Sequence, residues 1–133
     1  MRLRKKQKGF TLVELILTVV ILGILVVAAL PSFLNLDAKA KQGSRDGVLA
    51  CVRSGLRVYY AKQLTTSGNG AYPTTLDSAA NGAAAVSNPI FGTICDPAVS
   101  DDNWTRSSDT QYQFDDGNST YDYAYDSAAG TFQ

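Results

Sequence analysis

Residues 8–31 read KGFTLVELILTVVILGILVVAALP, and this stretch decides the fold. Between Phe10 and Leu30 the only charged residue is Glu14. A helix needs about 20 apolar residues to cross the roughly 30 Å hydrocarbon core of a bilayer. The sequence therefore predicts a membrane-spanning helix over residues 10–30.

The residues before this helix are strongly basic. Five cations precede it without an acidic residue, namely Arg2, Arg4, Lys5, Lys6 and Lys8. Such clusters are held on the cytoplasmic side, which places the rest of the chain outside the cytoplasm. A secretory signal peptide, cleaved near residues 27–29, is the alternative, but its apolar run spans only about 7–15 residues.

Glu14 is the unusual residue of the helix, because an ionised carboxylate in hydrocarbon is costly without a partner. The apolar run contains no cation. A cut between Gly9 and Phe10 would create an α-amino group four residues from Glu14, and this amine could meet the carboxylate of a neighbouring copy. The alternative is that Glu14 lies close enough to the interface to reach headgroups and water.

The segment Gly9-Phe10-Thr11-Leu12-Val13-Glu14 resembles the processing motif of type IV prepilins and of the related pseudopilins of type II secretion systems. The resemblance is close over residues 8–36 and includes a proline, Pro31, at the twenty-second mature position. It implies a leader over residues 1–9, cleavage between Gly9 and Phe10, and N-methylation of Phe10. It also implies that Glu14 acts in incorporation of the subunit or in its register.

The resemblance further implies partners and a location. The partners would be other copies in a helical filament, a prepilin peptidase and methyltransferase, an inner-membrane assembly platform, and membrane lipid before assembly. The precursor would be a single-pass protein of the bacterial inner membrane, and the mature subunit would lie in an extracellular pilus or a periplasmic pseudopilus. In relatives the helix can lose order in the interval that corresponds to Gly23–Pro31; a static kink at Pro31 is the alternative.

Composition excludes several functions. After loss of residues 1–9, seven Lys and Arg remain against twelve Asp and Glu, so no nucleic acid is expected on this acidic domain. The chain has no histidine, which removes the commonest general base and metal ligand, and we expect no enzymatic activity. Cys51 and Cys95 would lie in an oxidising compartment, where a disulfide is favoured over two free thiols.

Helical character continues over residues 31–64. A stripe with a spacing of three and four predicts one buried face; it comprises Val48, Cys51, Val52, Leu56, Tyr59 and Tyr60. Gly43, Gly47 and Gly55 weaken a helix and could allow close approach of a sheet or another subunit. The turn residues 65–70 should end the helix.

A small globular β domain is predicted over residues 65–133. Residues 111–114 and 121–126 alternate around a turn at 115–118, which predicts a hairpin, and 131–133 follow a further turn. The apolar segment 89–95 could be tied to the helix through Cys51. The fold class is therefore α+β, with a long N-terminal helix packed on a small antiparallel sheet, as in the pilin fold.

The aspartates raise the question of a metal. Asp101, Asp102, Asp115 and Asp116 supply oxygens suited to calcium, but their spacing fits no calcium loop, and aspartate is also a common turn residue. They are weak candidates, and no other cofactor is expected.

We interpret the chain as a structural subunit of a type IV pilus, serving adhesion, motility or DNA uptake. The compact size, the expected disulfide and residues 33–36 (Phe-Leu-Asn-Leu) together resemble mannose-sensitive-haemagglutinin-type pilins. The first alternative is a pseudopilin of a type II secretion system, whose major subunits usually have a calcium loop and no cysteine pair. The second is a monomeric, membrane-anchored binding module.

Overall fold

The computed structural model describes residues 9–133, so most of the predicted leader lies outside the described residues. One helix, α1 (Leu12–Ser67), is followed by five strands: β1 (Gly82–Ala83), β2 (Trp104–Arg106), β3 (Gln111–Asp115), β4 (Thr120–Asp126) and β5 (Thr131–Phe132). The chain divides into two compact units, Met1–Asp37 and Ala38–Gln133. This arrangement of elements confirms the α+β class.

The side chains in the apolar half of α1 are largely exposed. The helix is long and apolar enough to cross a membrane, and no side chain in that stretch is buried. It begins at Leu12, two residues later than the sequence predicts, because Thr11 caps it. The helix continues through Pro31, and the kink expected there stays a prediction.

The helix ends at Ser67, three residues beyond the end expected from the turn composition of 65–70. The hydroxyls of Thr65 and Ser67 donate to the carbonyls of Lys62 and Gln63, each at 2.8 Å. These bonds let hydroxyl residues complete the last turn. Gly68 then takes a φ of 71° and its N–H donates to the carbonyl of Leu64, which closes the helix with a left-handed glycine.

The five strands form one antiparallel sheet in the order β1-β2-β3-β4-β5. The predicted hairpin is present as β3 and β4, with Asp115 opposite Thr120. Tyr112 and Phe114 point inward from β3 and their neighbours outward, as alternation predicts. β1 and β2 were not anticipated, since two or three residues are too few to give a periodic signal.

The core of the second unit lies between the sheet and one face of α1. Val52 and Leu56 are fully buried there, as the stripe predicts, and Leu49 joins them although the stripe omitted it. Phe91, from the loop between β1 and β2, contacts three aromatic rings in the centre of this core, those of Trp104, Tyr112 and Phe132. The helix face is therefore covered mainly by aromatic side chains.

Candidate processing and assembly site

The predicted processing position is open to solvent. Gly9 and Phe10 precede the first turn of α1, and the Phe10 side chain is 85% exposed. A peptide bond outside regular structure is the kind of bond that a peptidase can bind in extended form. The described geometry therefore leaves the bond between Gly9 and Phe10 accessible.

Glu14 is held by Thr11 in a reciprocal capping arrangement. The Thr11 hydroxyl accepts the Glu14 N–H at 3.2 Å. In return, Glu14 Oε2 accepts the Thr11 N–H and the Thr11 hydroxyl, each at 3.1 Å. This is the capping box formed by threonine at the N-cap and glutamate three residues later. Glu14 thus has donors from its own chain, whereas the sequence analysis considered a cation of a neighbouring copy, or headgroups and water, as its partners.

Thr11 is the functional residue that the sequence analysis missed. The pattern Thr-x-x-Glu ahead of an apolar run was available as the signal. The hydroxyl and the backbone N–H of Thr11 both donate to the Glu14 carboxylate and stabilise it at the helix N-terminus, where the helix dipole also favours negative charge. The pairing of Glu14 with the Phe10 amine of a neighbouring copy stays a prediction.

The apolar residues after Glu14 form a continuous exposed surface. Large side chains from Leu12 to Leu30 are 49–75% exposed in the chain. Nothing lies within 4 Å of the position that a Cβ would take at Gly23. An exposed apolar surface of this size is stable only in lipid or against other protein.

A disulfide ties the helix to the loop between β1 and β2. Cys51 on α1 is bonded to Cys95, with their Cα atoms 5.9 Å apart. One turn further along α1, a Cβ at Gly55 would collide with the side chain and carbonyl of Ile94. Gly55 therefore permits the loop to lie directly on the helix, whereas Gly43 and Gly47 have nothing within 4 Å.

A buried ionic cluster fixes the same loop to the sheet. Arg106 Nε lies 2.9 Å from Asp77 Oδ1. Asp77 Oδ2 accepts the Phe91 N–H and the Tyr112 hydroxyl, both at 3.0 Å. Burial, together with the charge on Asp77, raises the pKa of the Tyr112 hydroxyl well above its usual value. The sequence analysis did not find this cluster.

The four calcium candidates are not gathered into a metal site. Asp116 Oδ1 accepts the N–H groups of Asn118 and Ser119, and Oδ2 accepts Gln42 Nε2 at 2.7 Å. These bonds, that from Gln42 above all, lower the pKa of Asp116 to about 2. Asp115 accepts the Gly117 N–H at 2.7 Å. Across residues 9–133 no group of three or more His, Cys, Asp or Glu side chains is placed to hold a metal.

Comparison with protein-family models finds a match at the N-terminal end of the chain. Residues 4–30 match the prokaryotic N-terminal methylation motif. This segment contains four of the predicted processing and assembly residues, Gly9, Phe10, Glu14 and Gly23, and ends one residue before the fifth, Pro31.

Relatives with described functions extend the similarity beyond the motif. The type IV narrow pilus major component PilA5 of Thermus thermophilus is 49% identical over 49 residues, which cover 37% of this chain and 42% of that protein. The fimbrial protein EcpC of Eikenella corrodens is 34% identical over 86 residues, 65% of this chain and 51% of its own. The type II secretion system core protein G of Pseudomonas aeruginosa is 35% identical over 72 residues, 54% of this chain and 46% of its own.

The matched part of the chain spans about half the length of these relatives. No solved structure matches the chain. Each of the three names describes a pilus, fimbrial or secretion-system component, and none describes an enzyme. In its N-terminal motif and over these matched lengths, the chain is similar to type IV prepilins and to the related pseudopilins of type II secretion.

Proposed function

We propose that this chain is the structural subunit of a type IV pilus. A prepilin peptidase cuts between Gly9 and Phe10, the new amino group of Phe10 is methylated, and the mature chains polymerise through the apolar half of α1. Before assembly this half of the helix lies in the inner membrane, with residues 1–9 in the cytoplasm. An inner-membrane platform delivers the subunit to a filament outside the cell.

The exposed apolar surface of α1 is the observation that carries this proposal. Its large side chains are 49–75% exposed, and none of the described side chains of this stretch is buried. Lipid can cover the surface in the precursor, and neighbouring helices can cover it in a polymer. The PilA5 and EcpC relatives support the pilus over other uses of such a helix.

Glu14 has a defined part in this proposal. In the single chain, Thr11 satisfies its carboxylate at the start of α1. Cleavage adds a cation at Phe10, close to this carboxylate, and a neighbouring subunit can then share it. Assembly would thereby pair a charge that hydrocarbon alone tolerates poorly.

A pseudopilin is the second candidate, and one relative supports it. The secretion core protein G matches 54% of this chain, more than PilA5 does. The Cys51–Cys95 disulfide favours the pilus, since a cysteine pair is not usual in major pseudopilins. Electron microscopy of cells separates the two, because a pilus extends from the cell surface and a pseudopilus stays in the periplasm.

Production of the full chain with and without a prepilin peptidase tests the proposal. Mass spectrometry should find a mature chain that begins at Phe10 and carries one added methyl group, and electron microscopy should find filaments only when the peptidase is present. Glu14→Ala should be processed yet assemble poorly, while Asp122→Ala, an exposed carboxylate of β4, should assemble normally. A mature chain that begins elsewhere, or a processed chain that stays monomeric whether or not Glu14 is changed, would overturn the proposal in favour of a membrane-anchored binding module.

A further inference from the structure

Charge is separated along the second unit. Residues 38–67, its helical part, contain six Lys and Arg and one acid, Asp46. Residues 68–133 contain nine aspartates and one base, Arg106. The two parts pack together through apolar and aromatic side chains. Their opposite charges are therefore not the main contact between helix and sheet.

Two arginines of the helix have no carboxylate partner within the described chain. Arg53 and Arg57 are both exposed, and neither forms an ion pair with a described residue. Arg53 donates only to the Phe132 carbonyl, through two bonds of 3.3 Å. Together they line a cavity of about 280 Å³, whose other walls are Tyr72 and residues 130–133. We call this side of α1 the arginine flank.

The opposite side of α1 is covered by a loop that contains an exposed carboxylate. Positions two residues apart on a helix point about 200° away from each other, so Cys51 and Gly55 face away from Arg53 and Arg57. The loop that covers Cys51 and Gly55 contains Ile94, Cys95 and then Asp96. Asp96 is exposed and accepts no hydrogen bond from any described residue. We call this side the disulfide flank.

We infer that the arginine flank of one subunit binds the disulfide flank of a second copy, with Asp96 of that copy reaching Arg57. The inference rests on the proposed function, since it assigns a second contact within the same polymer. A guanidinium binds a carboxylate through two parallel hydrogen bonds, and a cavity lined by two guanidiniums suits an acidic loop. The acidic composition of residues 68–133 supplies such a loop on every copy.

The positions of the two flanks determine the kind of assembly. The flanks are different surfaces of one chain, so their contact is heterologous and leaves one of each free at the ends. Such contacts build rings or open helical filaments, whereas a two-fold dimer would need one surface to pair with itself. The contact therefore adds lateral specificity to the polymer that the apolar half of α1 drives.

A charge exchange tests the contact in the full chain, processed by the peptidase. Arg57→Glu should leave about tenfold more free subunit at equilibrium, because it places like charges together. Asp96→Arg should have a similar effect, and the double variant should recover most of the polymer. Lys39→Glu is the matched control, since it makes the same change in net charge at an exposed site outside the cavity, about 27 Å along α1 from Arg57. It should polymerise as well as the unaltered chain.

A photo-crosslinking amino acid at position 57 gives a readout that does not depend on folding of the charge variants. In filaments, the crosslinked peptide should be residues 94–103 of another copy. A crosslink to a different segment or protein, or equal polymer yields for Arg57→Glu and Lys39→Glu, would overturn the contact while the filament itself stands. If the unaltered chain is cut at Phe10 but forms no polymer, the proposed function fails first, and the contact fails with it.

Discussion

Arg106 and Asp77 form an ion pair inside the core, with side chains only 7% and 1% exposed. The pair joins β2 to the segment 68–81, which connects α1 to β1, and each of its two residues also forms hydrogen bonds with other groups. Arg106 donates to Asn81 and Asp109, both at 2.6 Å, while Asp77 accepts from Phe91 and Tyr112. The Asp77 carboxylate thus connects the loop between β1 and β2, strand β2 and strand β3.

Replacing Asp77 should destabilise the second unit strongly. Asp77→Ala removes the buried ion-pair partner of Arg106 and the acceptor of the Phe91 N–H and the Tyr112 hydroxyl, and loss of one partner of a buried pair costs about 3–5 kcal/mol. Urea unfolding of the full chain in detergent, followed by fluorescence of the buried Trp104, measures the change. Asp122→Ala, on the exposed face of β4, should change the free energy of unfolding by less than about 0.5 kcal/mol. Equal midpoints for the two variants would contradict a structural role of the pair.

The disulfide should contribute through the unfolded chain. Cys51 and Cys95 are 44 positions apart. Closing a loop of this length lowers the entropy of the unfolded state by an amount worth about 4 kcal/mol in the chain-entropy treatment. The double variant Cys51→Ser, Cys95→Ser should therefore unfold at a lower urea concentration, and reductant should shift the unaltered chain to the same midpoint. A reductant effect on the double variant itself would show that another process is being measured.

Replacement of the helix glycines by alanine should destabilise the fold at Gly55 and stabilise it at Gly43 and Gly47. At Gly55 an added Cβ collides with the side chain and carbonyl of Ile94, and overpacking of this kind costs about 1–3 kcal/mol. At Gly43 and Gly47 nothing lies within 4 Å, so alanine should stabilise the helix by up to about 1 kcal/mol. Thermal unfolding of the three variants in detergent, monitored by circular dichroism, gives the order. A stabilising Gly55→Ala would mean that the loop does not lie on the helix.

Periodic features could be predicted from the sequence, and interactions between distant residues could not. The apolar run of α1 and the alternation in β3 and β4 are local patterns, and each predicted its element within three residues. Asp77 and Arg106 are distant in the sequence and come into contact only when the chain folds. Arg106 is the single base among nine aspartates in residues 68–133, which indicates an ion pair for it but does not identify the partner.

The same limit applies to the aspartates of the hairpin turn. Asp116 looked like a turn residue or a weak calcium ligand, and its bond from Gln42 spans 74 positions of sequence. The Thr11 cap is different, since the pattern Thr-x-x-Glu is local and could have been found.

Asp116 should make the second unit sensitive to acid. Its hydrogen bonds, led by that from Gln42, lower its pKa in the folded chain to about 2, below the ordinary value of 3.8. The unfolded chain therefore takes up the proton first, so this stabilisation is present above about pH 4 and is lost as the pH falls toward about 2. Urea unfolding at several pH values should show a smaller loss of stability on acidification for Asp116→Asn. Gln42→Ala should fall between this variant and the unaltered chain, and identical pH profiles for all three would contradict the assignment.

The Thr11 cap should decide how firmly the first turn of α1 is formed. Thr11→Val keeps the size of the side chain but removes the hydroxyl that accepts the Glu14 N–H and donates to its carboxylate. Loss of an N-cap costs about 1 kcal/mol, so the amide hydrogens of the first turn should exchange with solvent about fivefold faster. Thr11→Ser keeps the oxygen and should retain slow exchange. Hydrogen exchange of the unprocessed chain in micelles measures both variants, before a new amino group at Phe10 can compete for Glu14. If Thr11→Val and Thr11→Ser exchange alike, the carboxylate of Glu14 is satisfied by something other than Thr11, and the capping arrangement is not the one that precedes assembly.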